Sequence, residues 1–192
     1  MTARNLFATR LYEAEPATPE LLGELAHSIR SLARDDAAGR RWSREHHYPG
    51  YTSYASLNDL PKRDPAFGDL ARLLTRHAVI FAEDCAFELP RKLRLDSLWV
   101  NLLKAGGRHS GHVHPHSIIS GTFYVEAPPQ SGAIRFEDPR LPLMMAAPVR
   151  PDTFVTVQPV PGLLLLWESW LRHEVLPGKT IGERLSISFN FA

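Results

Sequence analysis

The period of the hydrophobic pattern changes at Pro90, and this change constrains the fold more than any other feature of the sequence. Before Pro90, apolar residues recur at helical spacing, whereas after it they alternate with polar residues. Helical spacing predicts helices that bury one face, and alternation predicts strands. Many short strands separated by Gly, Pro and Asp are typical of a sandwich or a barrel. We therefore predict a mainly β chain with flanking N-terminal helices.

Two helices are predicted before the change of period. The first begins at Thr18-Pro19, a capping residue followed by proline at the first helical position, and ends near Asp35-Asp36. The second begins at Asp64-Pro65 and stops before Pro90. Between them, Arg41–Leu60 is polar and aromatic, which predicts a loop. Its part Tyr48–Tyr54 is either a lid or a plain surface loop.

Seven strands are predicted after Pro90. They are Arg94–Leu103, Ser117–Glu126, Ala133–Glu137, Phe154–Gln158, Leu163–Trp167, Trp170–Leu176 and Arg184–Phe191. A chain of 192 residues is long enough to bury a core in one domain. We expect a single domain, in which residues 1–93 form a helical support and residues 94–192 form the β core.

The last predicted strand has two chemically different faces. Leu185, Ile187, Phe189 and Phe191 alternate along it with Arg184, Ser186, Ser188 and Asn190. Alone, this strand fits a sheet with one face in water. Small polar and aromatic residues, however, also share one face of two other strands: Ser97, Trp99 and Asn101 on one, Ser120, Thr122 and Tyr124 on the other. An open surface would carry Lys and Glu there. We therefore expect a polar cavity inside a barrel, with the helices packed on the apolar outside of one sheet.

Five histidines point to a metal site. His109, His112, His114 and His116 lie close together, and His173 follows in a later predicted strand. Residues two apart on a strand face the same side, so a His-x-His pair can converge on one metal ion. His173 would supply a third ligand. Both overlapping pairs have this spacing, and a polar loop with one buried structural histidine is the alternative.

Arg184 and Ser186 share the polar face of the last predicted strand. A guanidinium binds a carboxylate through two parallel hydrogen bonds. The pair therefore predicts a carboxylate anchor one strand away from the metal site. A salt bridge between Arg184 and an acidic neighbour is the alternative.

Charge and cysteine content exclude several classes of protein. Lys and Arg number 22 against 21 Asp and Glu, a net charge of +1, which argues against nucleic acid or an anionic membrane as a partner. The single cysteine, Cys85, excludes an internal disulfide, fits a reducing compartment, and is predicted to be buried. No apolar run approaches the ~20 residues of a membrane helix, and we expect a cytoplasmic protein. The sequence leaves a homodimer open.

The order His-x-(Asp/Glu), His, Arg-x-Ser on a barrel resembles the iron(II)- and 2-oxoglutarate-dependent oxygenases, most closely a branch with largely unassigned substrates. The resemblance covers nearly the whole chain. Its motifs here are Gly50–Tyr54, Trp99-Val100-Asn101, His112–Ser117, Ser120–Tyr124, Asp138-Pro139-Arg140, Gly162–Val175 and Arg184–Asn190.

The resemblance implies a double-stranded β-helix (jelly-roll) barrel and a dioxygenase that oxidises a substrate with release of succinate and CO2. It implies that His112, His114 and His173 bind Fe(II) and act in catalysis. The residues it implies for 2-oxoglutarate are Arg184 and Ser186, at the distal carboxylate, with Tyr124 and Asn101 in the pocket. The primary substrate, a small molecule or a peptide, is not indicated.

Two positions depart from the family pattern. His114 stands where most relatives have Asp or Glu, and Trp167-Glu168 stands where this branch tends to have Phe-Pro. A carboxylate usually completes the facial triad of such iron sites, so activity of a three-histidine site is left open. Pro115 interrupts the strand and favours His114 over His116 as the second ligand.

Two rival functions remain. One is a cupin-type metal enzyme on the same barrel, because Gly106 followed by His112-Val113-His114 matches the opening of a cupin motif. The expected Glu is missing, since Ile118 and Ile119 stand there. The other is a non-catalytic jelly-roll binding module with a structural metal.

Overall fold

The computed structural model describes residues 2–4, 6–140, 145–146 and 153–192. The helices are α1 (Pro19–Asp35), α2 (Ala37–Glu45), α3 (Leu60–Arg63) and α4 (Pro65–Asp84). The strands are β1 (Leu11–Ala14), β2 (Gly50–Thr52), β3 (Leu95–Leu103), β4 (His109–His112), β5 (Ile119–Glu126), β6 (Ile134–Glu137), β7 (Phe154–Val157), β8 (Leu164–Glu168), β9 (His173–Val175) and β10 (Arg184–Phe191).

The strands form two antiparallel sheets. One has six strands in the order β1-β8-β5-β10-β3-β2, and the other has four in the order β4-β9-β6-β7. The predicted class, mainly β with flanking helices, is confirmed. Within the described ranges, no helix is long and apolar enough to span a membrane.

Helices α1 and α4 cover the apolar face of the six-stranded sheet. Thr18 caps α1 by accepting a hydrogen bond from the Leu21 backbone N–H, and Asp64 caps α4 through the Ala66 N–H. The apolar stripes of both helices share one buried cluster with alternate residues of the central strands. Its members include Leu25, Ile29, Leu70, Leu74, Val100, Phe123, Ile187 and Phe189. Each such side chain contributes about 1.5–3 kcal/mol when fully buried, so this layer holds the sheet in place.

The opposite face of the six-stranded sheet is polar at its centre. Strand β10 pairs with β3 and β5 so that Ser186 lies between Asn101 and Tyr124, and Ser188 lies between Trp99 and Thr122. Towards one side, a second apolar cluster fills the space between the sheets, with Tyr124, Leu165 and Trp167 against Ile134 and Phe136. The two-faced pattern of the last predicted strand therefore reflects a buried polar interior rather than an open surface.

The segment Arg41–Leu60, predicted as a loop, contains the end of α2 and strand β2. Composition missed α2 because its residues are mostly small or charged and give no apolar stripe. Asp36 caps this helix by accepting hydrogen bonds from the backbone N–H groups of residues 38 and 39. Strand β2 is too short for alternation to show. Gly50 is required where β2 meets β3, since its φ is +143° and a Cβ would lie 2.0 Å from the Leu102 carbonyl oxygen. Its neighbours Tyr51 and Thr52 are buried, so the centre of Tyr48–Tyr54, for which a lid and a plain surface loop were both left open, is an edge strand of the sheet.

Other boundaries also differ from the prediction. Strands β1 and β4 were not predicted, and β1 pairs with β8 at the edge of the six-stranded sheet. The strand predicted over Trp170–Leu176 begins only at His173. Cys85, predicted to be buried, is half-buried at the end of α4. Residues 1–93 thus supply two strands as well as helices, and the proposed division of the domain remains a prediction.

Candidate metal centre and cosubstrate site

A cavity of about 440 Å³ is lined by residues of both sheets. All the site residues predicted from the sequence line it: His112, His114, His173, Arg184, Ser186, Tyr124 and Asn101. Residues that are far apart in the chain therefore meet in one space.

Three histidines form a cluster at this cavity. His112 at the end of β4 is the cross-strand partner of His173 at the start of β9. His114 lies two residues beyond β4, which corrects the prediction that the His-x-His pair shares a strand. Its position is instead held by a hydrogen bond from its backbone N–H to the Ser169 carbonyl, at 3.0 Å. One ligand nitrogen from each ring lies within 4.8 Å of the others, and the Nε2 atoms of His114 and His173 are 3.3 Å apart.

Backbone carbonyls orient two of the three rings. Nδ1 of His112 lies 2.7 Å from the Ser110 carbonyl oxygen, and Nδ1 of His173 lies 2.9 Å from the Leu171 carbonyl oxygen. A carbonyl only accepts, so each Nδ1 donates a proton and each Nε2 keeps its lone pair. This tautomer is the one that metal-binding histidines adopt when their other ring nitrogen is held. The donor set therefore fits a transition-metal ion.

Burial keeps the inner histidines neutral. Burial first, together with the nearby His112 ring, lowers the pKa of His173 to about 3 and the pKa of His114 to about 4. Hydrogen bonds act in the opposite direction: the Leu171 carbonyl raises the pKa of His173, and the Asn190 side chain raises that of His114. Neutral imidazole is the form that binds metal.

His116 does not join the cluster. It lies in the turn after Pro115, with an exposed side chain and a φ of 69°. Of the two overlapping pairs in the sequence, the structure therefore brings His112 and His114 to His173.

Arg184 is a buried guanidinium that has no carboxylate partner among the described residues. Only 3% of the residue is exposed, Nη1 donates to the Gly132 carbonyl at 2.9 Å, and Nε has no partner. The guanidinium carbon lies 5.7 Å from the centre of the Tyr124 ring. Burying a charge without a counter-ion is costly, and a guanidinium edge matches a carboxylate. No salt bridge between Arg184 and an acidic side chain is present among the described residues, so this alternative is not supported. The cavity beside the guanidinium suits an anion.

The other residues predicted to bind the cosubstrate differ in how many of their hydrogen-bonding groups already have partners in the protein. The Asn101 Oδ1 accepts hydrogen bonds from Tyr48 and Thr52, and its Nδ2 donates to Ser188, so Asn101 mainly braces the cavity wall. Burial raises the pKa of Tyr124 to about 12, so its phenol is neutral. Ser186 lies between these two side chains in the sheet register.

A contact between Tyr48 and His109 in the cavity was not predicted from the sequence. The Tyr48 hydroxyl lies 2.9 Å from Nε2 of His109. Burial first, and then the charge of Arg184, lowers the pKa of His109 to about 3. The two residues are 61 positions apart and no local pattern links them, so the sequence carried no signal for this pair.

Trp167, one of the departures from the family pattern, packs against the histidine cluster. Its ring centre lies 4.6 Å from that of His173 in an edge-to-face arrangement. The residue is 2% exposed. It therefore supports the position of His173 from the six-stranded sheet.

A protein family described as "Putative 2OG-Fe(II) oxygenase" matches residues 97–190, which include all seven predicted site residues. Those residues belong to this family. The predicted enzyme class, a 2-oxoglutarate-dependent oxygenase, is confirmed, and so are the cofactors that the family name carries, Fe(II) and 2-oxoglutarate. No curated protein matches the oxygenase in sequence.

Solved structures with the same fold are distant in sequence. A prolyl-4-hydroxylase from Pseudomonas putida has a TM-score of 0.65 at 18% identity, over 95% of this chain and 92% of that one. The epimerase SnoN from nogalamycin biosynthesis has a TM-score of 0.67 at 16% identity, over 95% and 76% of the two chains. HygX from Streptomyces hygroscopicus, with nickel and 2-oxoglutarate bound, has a TM-score of 0.63 at 15% identity, over 96% and 82%. These likenesses show the fold that the oxygenase adopts.

Proposed function

We propose that the chain is an Fe(II)- and 2-oxoglutarate-dependent oxygenase that oxidises an organic substrate with release of succinate and CO2. In this proposal the two sheets close as a double-stranded β-helix around the cavity. The observation that carries it is the presence, in one cavity, of three converging histidines and a buried guanidinium that has no carboxylate partner among the described residues.

The three histidines would hold the iron. His114 and His173 present neutral rings, and the carbonyls of Ser110 and Leu171 fix the rings of His112 and His173 in the ligating tautomer. These hydrogen bonds fix the orientation of the His112 and His173 rings before the metal binds. Bound iron, with 2-oxoglutarate and dioxygen, supplies the oxidising chemistry, while the protein positions the reactants and excludes water.

Arg184 would bind the distal carboxylate of 2-oxoglutarate, with Ser186 adding a hydroxyl donor. The Gly132 carbonyl holds Nη1, which fixes the plane of the guanidinium. Gly132 itself is confined, since a Cβ there would lie 1.9 Å from the Leu176 carbonyl oxygen. Because the site is buried, a charge-assisted hydrogen bond in it is stronger than it would be in water.

Anaerobic titration of the Fe(II) protein with 2-oxoglutarate tests this proposal. Chelation should produce a charge-transfer absorption band in the visible region. Arg184→Met should weaken cosubstrate binding by about 2–5 kcal/mol, because the carboxylate loses a buried charged partner. Arg184→Lys keeps the charge but loses the planar guanidinium, so its affinity for 2-oxoglutarate should lie between those of the unaltered protein and Arg184→Met. Arg34→Met, on an exposed arginine paired with Asp35, is the matched control and should leave the titration unchanged.

Unchanged 2-oxoglutarate affinity in Arg184→Met would place the carboxylate elsewhere and reject the assignment. Iron binding without any spectral response to 2-oxoglutarate would instead support the rival, a binding module with a structural metal.

The location and the partners of the oxygenase remain proposals drawn from the sequence. We propose a cytoplasmic enzyme, on the basis of its single cysteine, and leave the homodimer as a prediction. Fractionation of the source cells and sedimentation of the purified protein would test them.

A further inference from the structure

Three aromatic side chains form a continuous surface at the cavity. Trp42, Tyr54 and Trp99, here called the aromatic wall, all line it. The ring centres of Trp42 and Tyr54 are 6.0 Å apart, and those of Tyr54 and Trp99 are 5.4 Å apart. The rings contact one another at steep angles, 58° between Trp42 and Tyr54 and 72° between Tyr54 and Trp99, so the wall offers both ring faces and ring edges to a ligand.

The aromatic wall leads to the histidine cluster. The Trp99 ring lies roughly parallel to the His114 ring, with centres 6.1 Å apart and planes at 27°. At the other end, His46 stacks on Trp42 at 4.1 Å and 13°, which holds the indole in place. A ring that stacks on the wall would therefore lie beside the proposed iron ligands.

The charge of the cavity restricts what can bind there. Among the described residues that line it, none is Asp, Glu or Lys, and Arg184 is the one arginine. The proposed function assigns Arg184 to 2-oxoglutarate. A cationic ligand would lose its hydration and would gain only contact with ring faces, because these lining residues include no carboxylate to act as its counter-ion. An additional anion would find the one guanidinium already occupied.

The size of the cavity points to a small ligand. Its volume of about 440 Å³ is near the lower end of the range for ligand pockets, ~300–1,000 Å³. The cosubstrate takes part of this space. Aromatic rings prefer to pack on other rings in offset or edge-to-face contact, beyond the simple burial of area.

We propose that the primary substrate is an uncharged small molecule with a flat ring that stacks on the aromatic wall. The inference rests on the proposed function, which places the iron and the cosubstrate in this cavity and assigns Arg184 to 2-oxoglutarate. The proposed binding site differs from a general apolar pocket in two respects: it favours a planar ring over a saturated one, and it disfavours a positively charged ligand.

Binding of three matched probes to the anaerobic Fe(II)–2-oxoglutarate protein tests the inference by ligand-observed NMR. The probes are 2-naphthol, which is flat and neutral; decahydro-2-naphthol, which has the same hydroxyl without the flat ring; and 2-naphthylmethylammonium, which is flat and cationic. We expect 2-naphthol to bind at least threefold more tightly than either of the others.

Variants of the wall locate the binding site. Trp42→Leu and Tyr54→Leu should each weaken 2-naphthol binding by about threefold to tenfold, which is the effect expected for one lost aromatic contact. Tyr54 is 61% exposed, so its replacement leaves the fold intact. Trp170→Leu is the matched control, because Trp170 is 50% exposed and does not line this cavity, and it should change nothing.

Four results would overturn the inference. Equal binding of decahydro-2-naphthol would show that the wall does not select planarity, and equal or tighter binding of the cation would remove the charge argument. Unchanged 2-naphthol affinity in both wall variants, or no binding up to its solubility, would exclude the wall as the site. The 2-oxoglutarate titration is a separate measurement, so failure of the cosubstrate assignment would be recognised independently.

Discussion

The two faces of the six-stranded sheet differ in chemistry: on β10 the outer face is apolar and fully buried, and the inner face is polar, with Arg184 and Ser186 buried and the other two residues half-buried. On β10, Leu185, Ile187, Phe189 and Phe191 face the helices, while Arg184, Ser186, Ser188 and Asn190 line the cavity. The outer face is packed with apolar side chains, whereas the inner face is held by hydrogen bonds such as that from Asn101 Nδ2 to Ser188. The comparison shows that burial alone does not identify the layer that stabilises the fold. We infer that the outer face carries most of the stability and that the inner face retains costly polar groups for ligands.

Truncation on the outer face should have the largest effect on stability. Phe189 is fully buried, and Phe189→Ala should lower the free energy of unfolding by about 3–5 kcal/mol, since it loses apolar contact and leaves a void. Phe7→Ala, at a position that is 98% exposed, is the matched control and should change it by less than about 0.5 kcal/mol. Urea unfolding of the metal-free protein measures both. A loss below about 1 kcal/mol in Phe189→Ala would contradict the role given to the outer face.

Removing the buried charge of the inner face should not destabilise the protein. Arg184→Met keeps much of the side-chain volume and removes a guanidinium that has no counter-ion in the described residues, so the free energy of unfolding should be unchanged or rise by up to about 2 kcal/mol. The same urea experiment without metal or cosubstrate measures it. A marked loss of stability would mean that Arg184 stabilises the fold, which would contradict the inference that the inner face retains this residue for ligand binding.

A single hydroxyl of the inner face should have a small effect. Ser120 Oγ lies 2.8 Å from Ser169 Oγ and donates to Asn190 at 2.7 Å. Ser120→Ala should therefore lower the free energy of unfolding by about 1 kcal/mol. Ser110→Ala, which removes an exposed hydroxyl, is the control and should have no measurable effect. If Ser120→Ala lowered the free energy of unfolding as much as Phe189→Ala, the inference that the outer face carries most of the stability would be contradicted.

The sequence predicted those parts of the molecule that follow from local periodicity. Alternation along β3, β5 and β10 placed Asn101, Tyr124 and Ser186 on one face, and the sheet register brings them together. The helices α1 and α4 were recognised from their caps and apolar stripes. Histidine spacing, with the distant His173, was enough to predict the cluster.

Contacts between distant and irregular segments could not be predicted in this way. His114 is held by a hydrogen bond to Ser169 rather than by strand geometry, so the spacing argument reached the right cluster through a wrong local structure. The contact of Tyr48 with His109, and the position of Trp42 in the aromatic wall, depend on how α2 and β2 pack against the sheet edge. No short-range pattern encodes that packing.

Iron content of purified variants tests the central claim most directly. Elemental analysis should find one iron per chain in the unaltered protein and in His116→Ala, and little iron in His114→Ala or His173→Ala, because metal binding depends on each of the converging rings. Full iron content in His173→Ala, or iron retained by His114→Ala and lost by His116→Ala, would contradict the proposed centre.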